Sequence, residues 1–326
     1  MSDLKHKILA RVKNDLEEIE VALEQNLNPY LELVSQIAGH ILFSGGKRLR
    51  PLLMVLSARL CGYNEGYDKA FSTIFEYLHA ATLLHDDLVD EATLRRGKPV
   101  ANSIWGNPTA VLVGDFLLAR SLAIAAETKR PDIIKVVSNI TENMSQGEIH
   151  QLMRKGQLDL SEPEYMEIIK RKTAVLFQGT CCSGALIADV SPKKVNALSD
   201  YGFNLGIAFQ MVDDLLDYSR DTAVLGKEVG ADLKEGKLTL PVIYSLKSAV
   251  PKDKTLMEDI IKNKNFSIND FEILIKMIDK YGGQTYTQKL ATEYVRQAKD
   301  ALTVFKNSKT KETLLMIADY TLSRKF

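Results

Sequence analysis

Apolar residues recur every three or four positions along almost the whole chain. Leu4, Ile8, Val12, Leu16, Ile19 and Leu23 form the first stripe, which predicts an amphipathic helix with charged outer faces. A second helix follows Pro29, with Leu31, Val34, Ala38, Ile41 and Leu42 inward, and stops at Gly45-Gly46. Pro51 reads as a first-turn residue of a third. The turn-rich stretch Cys61 to Gly66 leads into a helix carrying Phe71, Ile74, Leu78, Ala81 and Leu84. Pro108 to Glu127 is almost wholly apolar, which predicts a buried central helix. Pro131 and Pro163 open two more, Lys193 to Asp217 is another, and Leu238 to Leu322 reads as four or five shorter amphipathic helices. No segment alternates with period two, and no Rossmann or P-loop glycine pattern, short repeat or linker interrupts the series. The pattern predicts an all-α fold, one domain over residues 1–326, built as a helical bundle.

Two of these helices run from apolar sequence straight into acid. Leu78 to Leu84 precedes Asp86-Asp87-Leu88-Val89-Asp90, and Leu205 to Val212 precedes Asp213-Asp214-Leu215-Leu216-Asp217. Helical residues four apart point about 40° apart, so Asp86 and Asp90 share a face, as do Asp213 and Asp217. Like charges this close repel unless a cation neutralises them, and a hard divalent cation prefers carboxylate oxygens. Mg²⁺ takes few carboxylates and completes its shell with water and phosphate oxygens. A solvated helix end explains one such cluster; two with the same spacing point to a metal-bridged phosphate site.

Basic residues stand where such a site needs them. Lys47-Arg48-Leu49-Arg50 flanks a helix start, where backbone N–H groups already favour anions. Arg95-Arg96-Gly97-Lys98-Pro99 follows the first acidic cluster within a few residues, the arrangement suited to a metal diphosphate. His79 lies seven residues before Asp86 on nearly the same face, a candidate phosphate contact. Lys172-Thr173 interrupts an apolar helix, and there the lysine either reaches the surface or points into a polar cavity. Gln210 shares the face of Asp213 and Asp214. The polar loop Ser219 to Lys237, with Gly226, Gly230, Gly236, Lys227, Lys234 and Lys237, is a candidate lid.

Bulk composition narrows the function classes. The 326 residues are 45% hydrophobic, and Lys plus Arg equals Asp plus Glu at 42 each. A net charge of zero argues against a nucleic-acid partner. Three cysteines without metal-ligand spacing read as free thiols in a reducing compartment, with Cys181 and Cys182 as packing residues. The start, Met1 to Lys5, is not followed by a signal-peptide core, and no stretch approaches roughly 20 uninterrupted apolar residues. A cytoplasmic protein without stable membrane insertion is expected.

From about Gly45 onward the chain resembles the trans-type polyprenyl (isoprenyl) diphosphate synthases. The matching pieces are Gly45-Gly46-Lys47-Arg48-Leu49-Arg50-Pro51, Leu84-His85-Asp86-Asp87-Leu88-Val89-Asp90, Arg95-Arg96-Gly97, Gly114-Asp115, Lys172-Thr173, Gln210 through Asp217, and Gly226-Lys227 through Lys237. The resemblance implies an isoprenoid-synthase bundle around a deep central cavity, a homodimer, and roughly two to three Mg²⁺ ions per site. It implies that Asp86, Asp87, Asp90, Asp213, Asp214 and Asp217 bind metal. Arg95, Lys172, Thr173, Gln210, Lys227 and Lys237 would contact an allylic diphosphate such as farnesyl diphosphate. Lys47, Arg50, His79 and Arg96 would hold the diphosphate of isopentenyl diphosphate. Asp86, Asp90, Arg95, Lys172, Asp213 and Lys227 would carry the chemistry, in which an allylic C–O bond ionises and isopentenyl diphosphate adds to the cation.

In that family, bulky residues a turn before the first motif shorten the product. Here Ala81 and Thr82 stand there, which suggests a tail running toward Val137 and a long product of about C40, as in quinone side chains. A geranylgeranyl or farnesyl diphosphate synthase is the alternative. A terpene cyclase on the same fold would not need Lys47, Arg50 and Arg96, and a non-catalytic subunit would be expected to lack some of the acids.

Overall fold

The computed structural model describes residues 2–218, 230–263 and 265–324. It is helical almost throughout. The helices in chain order are α1 (Ser2–Leu27), α2 (Glu32–Leu42), α3 (Leu49–Leu60), α4 (Asp68–Val89), α5 (Ala101–Trp105), α6 (Asn107–Glu127) and α7 (Pro131–Arg154). They continue with α8 (Glu162–Ile169), α9 (Val175–Ile187), α10 (Pro192–Asp217), α11 (Ala231–Lys234), α12 (Leu240–Ser248), α13 (Pro251–Lys262), α14 (Ile268–Lys280), α15 (Gly283–Ala301) and α16 (Lys309–Ser323). The predicted helices are present, and the fold is all-α.

The residues group into two compact units, each drawn from three stretches of chain. The first comprises Met1–Thr141, Leu176–Gly202 and Leu302–Met316. Its centre is α4, which packs against α1, α2, α3, α5 and α6. Ile74, Phe75, Tyr77 and Leu84 are fully buried. The Tyr77 hydroxyl, buried with them, donates to the Leu23 carbonyl at 2.6 Å. Ser72 and Thr73 tolerate the same core because their hydroxyls donate back to the Lys69 and Ala70 carbonyls.

Composition had pointed to α6 as the buried centre, and the structure corrects this. Leu117 and Ile124 are buried, but Val111, Leu112 and Leu122 are 38%, 65% and 37% exposed. An all-apolar helix reveals how much surface is greasy, not which side is covered. By length and composition α6 also passes as a membrane span, although Asp115 and Arg120 lie within it.

The basic loop after α4 is a minimal hairpin. Leu94–Arg95 (β1) pairs antiparallel with Lys98–Pro99 (β2), with Leu94 opposite Pro99 and Arg95 opposite Lys98. The two turn residues, Arg96 and Gly97, have φ of 52° and 74°, the left-handed pair that a tight hairpin requires. Two-residue strands are too short to show an alternating pattern.

The second unit comprises Glu142–Val175, Phe203–Ala301 and Ile317–Phe326. Its core includes Tyr165, Met166, Ile168, Ile169, Met211, Val212, Tyr218, Phe271 and Leu274. Helix α8 starts at a capping box, with the Ser161 hydroxyl accepting from the Glu164 N–H and the Glu164 carboxylate accepting from the Ser161 N–H. Between α8 and α9, Lys170–Ala174 winds as a π-helical turn. Such turns insert one residue into the helical register and redirect the side chains that follow. Lys172 and Thr173 lie inside it. Gly147 of α7 makes the close approach possible, since a Cβ there would lie 2.7 Å from the Lys172 backbone nitrogen.

Candidate active site

In the first unit the acidic cluster ends α4. Asp86 and Asp87 lie in its last turn and Asp90 is its C-cap. This is the negative end of the helix dipole, which adds to the repulsion and strengthens the need for a cation. Asp87 is 2% exposed, and Arg95 of the hairpin meets it, with Nε donating to Oδ1 at 2.8 Å. Asp87 Oδ2 is buried without a hydrogen-bond partner. Asp86 and Asp90 are half-buried.

A basic basin stands around His79. Burial and then the charges of Arg50, Arg95, Arg96 and Arg48 hold its imidazole well below the usual 6.5, so it is neutral at neutral pH. Burial and its neighbours Arg95 and Arg48 also lower Arg96. Arg50 is half-buried, its guanidinium 5.0 Å from the Phe177 ring centroid. Lys47, three residues before Arg50 in the chain, is exposed. A Cβ on Gly46 would meet Arg48 Nη1 at 3.2 Å and Arg96 Nη1 at 3.6 Å, so both guanidiniums lie close against Gly46. The structure therefore brings Arg50, His79 and Arg96 together. Ala81 and Val137 are buried in the same unit. Thr82 is half-buried, with its hydroxyl donating to the His79 carbonyl at 2.8 Å.

In the second unit a cavity of about 140 Å³ collects the other motifs: Lys172, Thr173, Gln210, Asp214 and Lys237 all line it. The Thr173 hydroxyl donates to Gln210 Oε1 at 2.8 Å, and Gln210 Nε2 donates to Asp214 Oδ1 at 2.8 Å. The second Asp214 oxygen accepts from the Tyr165 hydroxyl at 2.5 Å. Burial, helped by the nearby Asp232 charge, pushes the Asp214 carboxyl up to about 8. Lys172 pairs with Glu148 and donates to Gln151 Oε1 at 2.7 Å. Lys237 pairs with Glu235 at 2.6 Å. Asp213 is bonded by Arg324, and Asp217 Oδ2 accepts from the Asp232 N–H at 3.3 Å. Lys227 and most of the proposed lid, residues 219–229, lie outside the described residues.

Sequence reasoning missed Tyr165, Gln151, Asp232 and Arg324. Only Asp232 left a signal, since it lies within the Gly226 to Lys237 stretch that carries the resemblance. The two acidic motifs share one asymmetry. The second aspartate of each, Asp87 or Asp214, is buried and held by protein donors, while the first and fifth are half-buried. Among the described residues, no three His, Cys, Asp or Glu side chains already stand in metal-binding geometry. The donors nevertheless suit a hard cation, being carboxylate oxygens at two negative helix ends, one of them buried and unsatisfied.

An all-α protein that pairs two such carboxylate clusters with guanidinium and lysine groups is built to handle diphosphates. Known proteins agree with that class. The polyprenyl synthetase family model matches residues 31–278. Octaprenyl diphosphate synthase of Escherichia coli (strain K12) is 35% identical over 318 residues, 98% of each chain. A short chain isoprenyl diphosphate synthase of Methanothermobacter thermautotrophicus is 34% identical over 297 residues, 90% of this chain and 91% of that one. Among solved structures, a polyprenyl synthase from Caulobacter crescentus CB15 complexed with calcium and isoprenyl diphosphate superposes with a TM-score of 0.92 at 38% identity, over 98% of this chain and 97% of that one. The chain belongs to the polyprenyl synthetase family and is a trans-polyprenyl diphosphate synthase, a prenyltransferase.

Proposed function

We propose that the protein condenses isopentenyl diphosphate with an allylic diphosphate, such as farnesyl diphosphate, in Mg²⁺-dependent head-to-tail steps to a product of about C40. The observation that carries this reading is the small, buried surface before the first motif. Ala81 is 3% exposed, and Thr82 keeps its hydroxyl on the backbone. The octaprenyl relative, aligned over 98% of the chain, supports the same length. A shorter product remains the second reading, favoured by the short-chain relative.

Asp86, Asp87, Asp90, Asp213, Asp214 and Asp217 would hold Mg²⁺, and the Arg95 bond to Asp87 and the Tyr165 and Gln210 bonds to Asp214 keep each helix end in register. The bound metal would supply positive charge to the diphosphate as the allylic C–O bond breaks. Arg95, Lys172, Thr173, Gln210, Lys227 and Lys237 are assigned to the allylic diphosphate. Binding there exchanges the Asp87 partner of Arg95 and the Glu148 partner of Lys172 for phosphate oxygens. Lys47, Arg50, Arg96 and neutral His79, as a hydrogen-bond donor, are assigned to the diphosphate of isopentenyl diphosphate. Its double bond adds to the allylic carbon, and the proton then lost goes to the released pyrophosphate.

The exposed apolar stripe of α6, Val111, Leu112 and Leu122, supports a homodimer in which a second copy covers it. Three free cysteines support a cytoplasmic location. Incubation with farnesyl diphosphate, labelled isopentenyl diphosphate and Mg²⁺, followed by chromatography, tests the reading. Elongation to about C40 is expected. A C20 end point, or turnover only from a shorter allylic primer to C15, would favour the shorter-chain reading, and a cyclic hydrocarbon or no turnover with any allylic primer would refute the synthase reading.

A further inference from the structure

We infer that Arg48 is a positioning residue, which aims Lys47 and Arg50 at isopentenyl diphosphate without touching it. The inference rests on the assignment of Lys47 and Arg50 to that substrate. Arg48 is the N-cap of α3 and sits in the left-handed region, at φ 48°. Left-handed backbone is disfavoured for a residue with a Cβ, so something must hold it there.

What holds it is its own side chain, which is 5% exposed and turned away from solvent. Nε and Nη2 donate to the two Glu20 carboxylate oxygens on α1 at 2.6 and 3.1 Å. Nη1 donates to Glu76 Oε1 on α4 at 2.9 Å. Nη2 also donates to the Leu42 carbonyl at the end of α2, at 2.6 Å. One guanidinium thus ties three helices, α1, α2 and α4, to the N-cap of α3, between Lys47 and Arg50. Only a planar fork meets these acceptors together, and an ammonium cannot.

Fold stability alone does not favour this arrangement. Burying an ionic cluster costs desolvation that a well-packed apolar group avoids. It also keeps a carboxylate, Glu76, within the basin where Arg96 stands, and Glu76 raises the Arg96 pKa against the depressing effect of the other arginines. The cluster therefore does two things for the site. It fixes the turn that carries Lys47 and the start of α3 that carries Arg50, and it balances charge among guanidiniums gathered before any substrate arrives. Gly46 adds to the device, because Arg48 and Arg96 both lie against the space a Cβ there would fill.

The test compares Arg48→Lys and Glu20→Gln with Lys47→Ala, measuring Tm, kcat and the KM of each substrate. Glu20→Gln removes one arm of the fork from a side chain that is 42% exposed, and serves if Arg48→Lys fails to fold. The expected result is a rise of about tenfold in the KM for isopentenyl diphosphate in Arg48→Lys, and a smaller rise in Glu20→Gln. The KM for farnesyl diphosphate should stay within about twofold. An unchanged isopentenyl diphosphate KM in both variants, while Lys47→Ala raises it, overturns the positioning role and leaves the site assignment standing. Equal rises in both KM values that track the loss of Tm overturn it as well. An unchanged KM in Lys47→Ala overturns the site assignment itself, and the positioning role with it.

Discussion

Arg324 bonds the Asp213 carboxylate while its guanidinium lies 3.8 Å from the centroid of the Phe209 ring. The arginine is 7% exposed, so Arg324 is docked on the second acidic motif. A guanidinium on a carboxylate supplies positive charge where a metal ion would, and the two compete for Asp213. Arg324→Gln is therefore expected to tighten metal binding by about tenfold, the scale of one charge-assisted hydrogen bond. Titration with Mn²⁺, followed by electron paramagnetic resonance of the free ion, measures this. Weaker binding in the variant would show that the arginine supports the metal site.

His79 gives a pH signature. The folded protein holds this imidazole neutral well below 6.5, whereas the unfolded chain takes up a proton near that value. Below 6.5 the unfolded state binds more protons, so stability falls as pH drops through this window and is fully present above it. Replacing His79 with Gln should flatten the decline, by about 1 kcal/mol between pH 7.5 and 5.5. Thermal melts across that range read the difference.

Tyr165 donates to a buried Asp214 oxygen at 2.5 Å. Tyr165→Phe leaves that oxygen without its donor and is expected to cost about 1–3 kcal/mol. Chemical denaturation should show it as a lower midpoint with an unchanged slope.

Ala81 is 3% exposed on the helix that carries the first motif. Phenylalanine there occupies the proposed path of the growing tail. Product chromatography should shift from long chains to products of about C20 from a farnesyl primer. An unchanged product would place the tail elsewhere.

How much of this was legible follows from the range of each interaction. The helices were readable because apolar stripes are local, and both acidic motifs because i and i+4 positions share a face. The partners that fix the site are distant in sequence. Arg48 reaches Glu20 and Glu76, each 28 residues away, Tyr165 reaches Asp214 across 49, and Arg324 reaches Asp213 across 111. No spacing rule joins such pairs. The π-helical turn at Lys172 was hidden because one inserted residue barely disturbs an apolar pattern. The exposure of α6 was hidden because composition does not say which face another element covers.

The central claim is that both acidic motifs serve the elongation of an allylic diphosphate. Its most direct test measures incorporation of labelled isopentenyl diphosphate onto farnesyl diphosphate by the native protein, Asp86→Asn and Asp213→Asn, each folded by circular dichroism. The account predicts elongation by the native protein and a loss of at least about 100-fold in each variant. Elongation by either variant at close to the native rate would contradict it.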